Sequence, residues 1–81
     1  MYITIGSITT AVRLKRLLEK YARVPAQVVH TPAKLNRGGC SYSVVVSDAL
    51  RTQIRSFCAK YDVAIKGLYI REGDEYYAVS G

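Results

Sequence analysis

Residues 2–22, YITIGSITTAVRLKRLLEKYA, pass from a strand signal to a helix signal within a few positions. The side chains from Tyr2 to Ile5 are all β-branched or aromatic, which strands favour, and Gly6 ends the run. Ser7 suits a helix N-cap because its hydroxyl accepts a hydrogen bond from a backbone N–H of the first turn. The chain is therefore predicted to open with a strand followed at once by a capped helix.

The first helix is predicted over residues 8–22. Apolar side chains recur there at the 3.6-residue period of a helix, and charged side chains take the other faces. The apolar stripe consists of Ala11, Leu14, Leu17, Leu18 and Tyr21. The cations on the other faces are Arg13, Lys15, Arg16, Lys20 and, just past the helix, Arg23. These cations are interpreted as a solvated face, with a docking patch as the alternative.

The remaining elements follow from local punctuation by Pro, Gly and capping residues. Strands are predicted over 26–31, 41–46, 65–70 and 76–79, a second helix over 48–61, and a hairpin turn around Gly73. The order β-α-β-β-α-β with a trailing strand predicts an α+β fold. Its most economical form is a ferredoxin-like βαββαβ sandwich: a mainly antiparallel sheet, two helices on one face, and an extra C-terminal strand.

Length and composition limit the possibilities further. The chain has 81 residues, 49% of them hydrophobic, which fits a single domain over 1–81. Two cysteines are too few for a disulfide framework or a structural zinc site, so neither a metal nor another cofactor is expected. With no secretory signal and no membrane-length apolar run, the protein is expected in the cytoplasm.

The net charge of +6 favours nucleic acid, acidic protein surfaces or anionic small ligands as partners. The second face of the sheet is expected to be bare, and strand tyrosines would make it an interface. These tyrosines are Tyr2, Tyr42, Tyr69, Tyr76 and Tyr77. A homo-oligomer is therefore expected, although strands also favour tyrosine without any such role.

The segment from His30 to Ser41 is the most informative for chemistry. Gly38 and Gly39 allow the backbone to aim several N–H groups at one point, and Lys34 and Arg37 add positive charge. Together they would stabilise a thiolate on Cys40, the form of cysteine that attacks sulfur. The alternative is that the glycines form an ordinary turn and that Cys40 is a small apolar residue at the start of a strand.

Two other residues carry weaker signals. His30 could orient Cys40 as a base, but no third group is identifiable and a structural role is the simpler interpretation. Cys58 falls on the apolar stripe of the second helix, with Ile54 and Phe57, and is predicted to lie in the core.

Thr31-Pro32, followed by Leu35 and a glycine-flanked Cys40 at the start of the next strand, resembles the small family described as putative selenium/sulfur carrier proteins. The resemblance spans residues 2 to about 71. It implies a protein that accepts sulfur or selenium from a donor enzyme on Cys40 and passes it to an acceptor enzyme. Such a protein is a carrier and not a stand-alone enzyme.

Two alternatives come from other classes. A basic ferredoxin-like sheet with exposed aromatic side chains could bind nucleic acid, although strand 41–46 offers one aromatic residue and no cation. The domain could instead be a structural or regulatory module that dimerises through its sheet, and Cys40 would then have no chemical role.

Overall fold

A computed structural model of the protein describes residues 1–36 and 41–79. In chain order, the elements are β1 (Tyr2–Ile5), α1 (Ile8–Leu17) with its continuation as a π-helix (Leu18–Ala22), β2 (Gln27–His30), β3 (Tyr42–Val45), a 3₁₀ helix (Asp48–Leu50), α2 (Ile54–Lys60), β4 (Gly67–Glu72) and β5 (Glu75–Ala78).

The five strands form one sheet in the order β2-β3-β1-β4-β5, and every neighbouring pair is antiparallel. Since β1 and β2 are both antiparallel to β3, they run in the same direction and α1 connects them. In the same way β3 and β4 flank β1, and α2 connects them. The predictions of an α+β fold, two helices and a mainly antiparallel sheet are confirmed.

Local hydrogen bonds mark both ends of the first helical segment, residues 8–22. The Ser7 hydroxyl accepts a hydrogen bond from the Thr10 backbone N–H at 3.2 Å, which satisfies one of the free donors of the first turn. At the other end Arg23 adopts a left-handed conformation with φ 55°, and its N–H donates to the Leu18 carbonyl. The predicted helix over residues 8–22 is confirmed, with its last turn wound as a π-helix.

The second helical region differs from the single helix predicted over 48–61. Ser47 caps a short 3₁₀ helix, with its hydroxyl accepting from the Ala49 N–H at 3.2 Å. A turn over residues 51–53 follows, and α2 begins only at Ile54. The capping signal at Ser47-Asp48 therefore marks the short helix, and burial of Ile54 and Cys58 sets the start of α2.

One face of the sheet and both helices form the hydrophobic core. Ile3, Val44 and Leu68 are paired across β3, β1 and β4 and therefore point to the same face. The core cluster joins them to buried residues of both helices, namely Ala11, Leu14, Leu18, Ile54 and Cys58, with Phe57 packed against it. Both helices thus lie on this face, and the predicted core position of Cys58 is confirmed.

The β4–β5 hairpin is tighter than predicted. Glu72 and Glu75 are paired, so the turn consists of Gly73 and Asp74 alone. Gly73 has φ 61°, a conformation that residues with a Cβ rarely adopt, which explains glycine at this position. The strands over 67–72 and 75–78 replace the predicted 65–70 and 76–79.

Candidate functional site

The segment that connects β2 to β3 begins and ends at a closed stem. The Thr31 backbone N–H donates to the Ser41 carbonyl at 3.0 Å. The Thr31 and Ser43 hydroxyls are hydrogen bonded at 2.8 Å, and both residues are buried. This buried contact contributes on the order of 1 kcal/mol and fixes the end of β2 against the start of β3.

Residues 31–36, called the strap below, turn back over the second face of the sheet. Pro32 suits the start of the turn because its ring fixes φ. Its carbonyl accepts hydrogen bonds from the N–H groups of Leu35 at 2.8 Å and Asn36 at 3.1 Å. The strap is therefore a compact turn with its own hydrogen bonds.

Leu35 anchors the strap on the sheet. Its side chain is 8% exposed, yet it does not belong to the core cluster beneath the helices. It borders a cavity with Tyr69, Tyr76 and Ala78, which β4 and β5 present on the second face. Leu35 thus forms a separate small apolar contact on the face of the sheet opposite the helices.

Lys34 links the strap to the far edge of the sheet. Its Nζ donates to the Asp74 carbonyl at 2.6 Å and lies 3.5 Å from Glu75 Oε1. Both ends of this ion pair are more than half exposed, so the charge contribution alone is small. The hairpin nevertheless gives the strap a second point of attachment, some 40 residues away in sequence.

The strap changes the expected picture of a bare second face. The register places Tyr2, Tyr69 and Tyr76 on that face, where the Tyr2 and Tyr76 rings make an edge contact at 5.4 Å. Tyr42 instead pairs with Ile5, and Tyr77 with Ile70, so both point to the helix side. Three of the five strand tyrosines therefore lie on the second face, and the strap covers part of it.

Of the residues predicted to form the site, Thr31, Pro32, Lys34 and Leu35 lie together in the strap. Arg37, Gly38, Gly39 and Cys40 lie outside the described residues. The two residues on either side make backbone hydrogen bonds. The Asn36 N–H donates to the Pro32 carbonyl, and the Ser41 carbonyl accepts from the Thr31 N–H. The predicted role of Cys40 and of its stabilising neighbours stays a prediction.

The other two candidate residues, His30 and Cys58, lie in the described part of the chain, and the role of His30 toward Cys40 stays a prediction. His30 is exposed at the end of β2, with its ring 5.3 Å from that of Tyr42. Cys58 is 2% exposed. Burial raises the pKa of its thiol from 9.0 to about 11, against a smaller lowering by the nearby Arg55 guanidinium. Cys58 is therefore a neutral thiol at physiological pH and a poor nucleophile.

Sequence reasoning missed the attachment of Lys34 to the hairpin and the burial of Thr4 and Ser43 on the second face. The lone apolar Leu35 in a polar loop was the available signal for a covered second face. In the part of the chain that the structure describes, no group of three His, Cys, Asp or Glu side chains could hold a metal ion. None of the described helices is long and apolar enough to cross a membrane.

The fold and the strap define a small α+β protein in which an anchored turn follows β2, and in the sequence a cysteine, Cys40, comes two residues before β3. The family model described as "Putative Se/S carrier protein-like" matches residues 1–70, and the chain belongs to this family. The match ends before β5 and the acidic hairpin turn that holds Lys34. No curated protein and no solved structure matches the chain.

Proposed function

We propose that this protein carries sulfur or selenium on Cys40 and passes it between partner enzymes. The observation that carries the proposal is membership of the Se/S carrier-like family over residues 1–70, a range that includes Cys40. The anchored strap supports it, because the strap holds the residues that precede Arg37 in a reproducible place. Cys58 is unsuited to the role since its thiol is buried and neutral.

The transfer is a balanced exchange between sulfur atoms. The Cys40 thiolate attacks the outer sulfur of a persulfide on the donor enzyme, a new S–S bond forms, and the donor cysteine leaves as a thiolate. An acceptor nucleophile then attacks the outer sulfur, and the Cys40 thiolate leaves with the electron pair of that bond. Selenium in place of the outer sulfur gives a selenosulfide by the same steps. No external oxidant or reductant is consumed.

Residues near Cys40 in the sequence would stabilise its thiolate or position the loop. Arg37 and the N–H groups of Gly38 and Gly39 would favour the thiolate by charge and hydrogen bonding. Lys34 donates to the Asp74 carbonyl and lies near Glu75 on the hairpin, and in this proposal it adds a basic side chain to the segment that leads to Cys40. Thr31, Pro32 and Leu35 position the loop.

The decisive experiment is incubation of the protein with a cysteine desulfurase and cysteine, followed by intact mass and peptide mapping. We expect one added sulfur atom, confined to Cys40 and lost on reduction. Cys58→Ala is the matched control and should load normally, whereas Cys40→Ser should not load. Alkylation should follow the same order, with Cys40 reacting first and Arg37→Glu slowing it by raising the thiol pKa. Loading of the Cys40→Ser protein, or equal reactivity of the two thiols in the folded state, would exclude the carrier role.

We also propose that the fold is of the ferredoxin-like class, extended by β5. The support is the connectivity: each helix joins two parallel strands that are separated by one antiparallel strand, which is the split βαβ arrangement. The carrier function also implies a cytoplasmic location, since exchange of persulfides needs a compartment that keeps thiols reduced.

A further inference from the structure

The outward face of α1 carries an apolar groove where a two-layer protein ordinarily presents polar side chains to solvent. The groove measures about 490 Å³ and is lined by Ile8, Thr9, Val12, Arg13, Arg16 and Leu17. Ile8 is 45% exposed, one of the largest apolar exposures among the described residues. Ala11, Leu14 and Leu18 fill the core side of the helix, and of the groove residues only Leu17 also packs against the core. The rest of the groove therefore lies on the outward side of α1.

Positive charge is concentrated around this groove. Residues 8–23 carry five Lys or Arg side chains and one Glu, a net charge of +4 out of +6 for the whole chain. The single acidic residue, Glu19, is paired with Lys15 at 2.9 Å. Arg16, on the groove, makes no ion pair within the described part of the chain. The groove is thus apolar along its floor and cationic at its rim.

Arg13 holds one side of the groove in a fixed place. Its guanidinium donates to the Tyr61 carbonyl at 2.6 Å and to the Asp62 carbonyl at 3.2 Å, at the C-terminal end of α2. These bonds satisfy carbonyls that a helix end leaves free and brace α1 against α2. The wall of the groove is therefore built into the helix layer before any partner binds.

The groove also starts at the end of the sheet from which the Cys40 loop leaves. Ile8 is the first residue of α1 and comes directly after the N-cap Ser7, shortly after β1 ends. At that end of β1, Ile5 is paired with Tyr42, which is in turn paired with His30. The first turn of α1 is therefore at the same end of the sheet as His30 and Tyr42, which precede and follow the segment that contains Cys40.

We infer that the α1 groove is a docking site for an acidic amphipathic helix of a protein partner. An apolar floor with a cationic rim complements a helix that offers apolar side chains at i, i+3 or i+4 and i+7, with carboxylates beside them. A nucleic acid would leave the floor unfilled, since its backbone binds through charge alone. The binding surface is a single 10-residue helix, and so small a surface predicts weak binding with rapid exchange. A carrier that visits two enzymes requires binding of this kind. The inference rests on the carrier function only in the choice of a protein as the partner.

The test is an NMR titration of the labelled full chain with a synthetic acidic peptide of about 18 residues, with leucines at i, i+3, i+4 and i+7 and glutamates beside them. We expect shifts confined to the amides of Ile8–Leu17 and their contacts on α2. Ile8→Asp should weaken binding at least about tenfold because it removes an apolar anchor. It should leave the fold intact, because aspartate is favourable in the first turn of a helix.

Charge variants separate docking from general attraction. Arg16→Glu and Arg51→Glu change the net charge equally, but only Arg16 lies on the groove. Arg16→Glu should weaken binding about fivefold or more, and Arg51→Glu less than about twofold. Tyr77→Asp is the matched control for Ile8→Asp, since Tyr77 is also exposed but lies on β5.

Three outcomes would overturn the inference: shifts centred away from α1, equal binding of the wild-type and Ile8→Asp proteins, or tighter binding of an oligouridylate than of the peptide on the same residues. The Cys40→Ser protein should bind the peptide as the wild type does. Failure of the docking site and failure of the carrier chemistry are therefore distinguishable.

Discussion

Cys58 shows how burial converts a reactive residue type into an inert one. The thiolate would have to exist among apolar side chains, so the protein holds the thiol neutral to a higher pH than an unfolded chain does. Ionisation of the unfolded chain begins near the ordinary pKa of 9.0, whereas the folded thiol ionises near about 11. The stability that a neutral Cys58 contributes is thus fully present below pH 9 and is lost as the pH rises toward 11.

This difference predicts an alkaline loss of stability that depends on Cys58. Between pH 8 and 11 the free energy of unfolding of the wild type should fall by up to about 2 kcal/mol more than that of Cys58→Ala. The two proteins differ only at position 58, so the contributions of all other residues cancel in the comparison. The measurement is urea unfolding followed by circular dichroism at each pH. Parallel curves for the two proteins would show that Cys58 does not ionise differently in the folded state.

Among the elements, those set by local periodicity agree best with sequence reasoning. The helix over 8–22 follows from the spacing of Ala11, Leu14 and Leu18, and β1 from four consecutive strand-forming residues. The second helix was misplaced at its start because Ser47 is a good cap for either a 3₁₀ or an α-helix, and the choice depends on what Leu50 and Ile54 contact. The spacing of apolar residues along the sequence does not show which contacts Leu50 and Ile54 make.

The strap could be predicted only in part for the same reason. Thr31-Pro32 indicates a turn, and Leu35 is an isolated apolar residue, but the partners of Leu35 and Lys34 lie on β4, β5 and the hairpin between them. Sequence patterns report neighbours a few residues apart, whereas these contacts depend on the strand order. The turn at Thr31-Pro32 could therefore be predicted along the chain, but its attachment to the sheet could not, and the role of Cys40 stays a prediction.

The strap's two attachments should differ in energy. Leu35→Ala should lower the free energy of unfolding by about 2 kcal/mol, because it empties an apolar contact that is nearly closed to water. Lys34→Ala should cost less than about 1 kcal/mol, because the ion pair is exposed. Urea unfolding measures both losses, provided that the slope of the free energy of unfolding against urea concentration is the same in the variants as in the wild type. A cost of Leu35→Ala below about 0.5 kcal/mol, the range of surface substitutions, would mean that the strap does not pack on the sheet.

For the whole molecule, basic and acidic side chains are concentrated in different elements. The helix layer holds the basic segment 8–23, while three of the six acidic residues, Glu72, Asp74 and Glu75, lie in the β4–β5 hairpin. Two copies that meet through their helix layers would bring like charges together, which costs energy in water of low salt. Self-association, which the sequence predicts, is therefore expected through the sheet side.

The second face offers the side chains for such an association. Tyr2, Tyr69 and Tyr76 are only half-buried there, beside the strap, and tyrosine rings are favourable at interfaces that keep the hydroxyl wet. We expect a homodimer at high micromolar concentration that becomes tighter as salt screens the net charge of +6. Sedimentation velocity across a range of concentration and salt measures this. Tyr76→Lys should return the protein to monomer, whereas Tyr77→Lys, which changes a tyrosine on the helix side of the same strand, should not. Monomer at every concentration would show that the strap leaves too little of the second face for a partner copy. Dissociation by Tyr77→Lys alone would place the interface on the helix side instead.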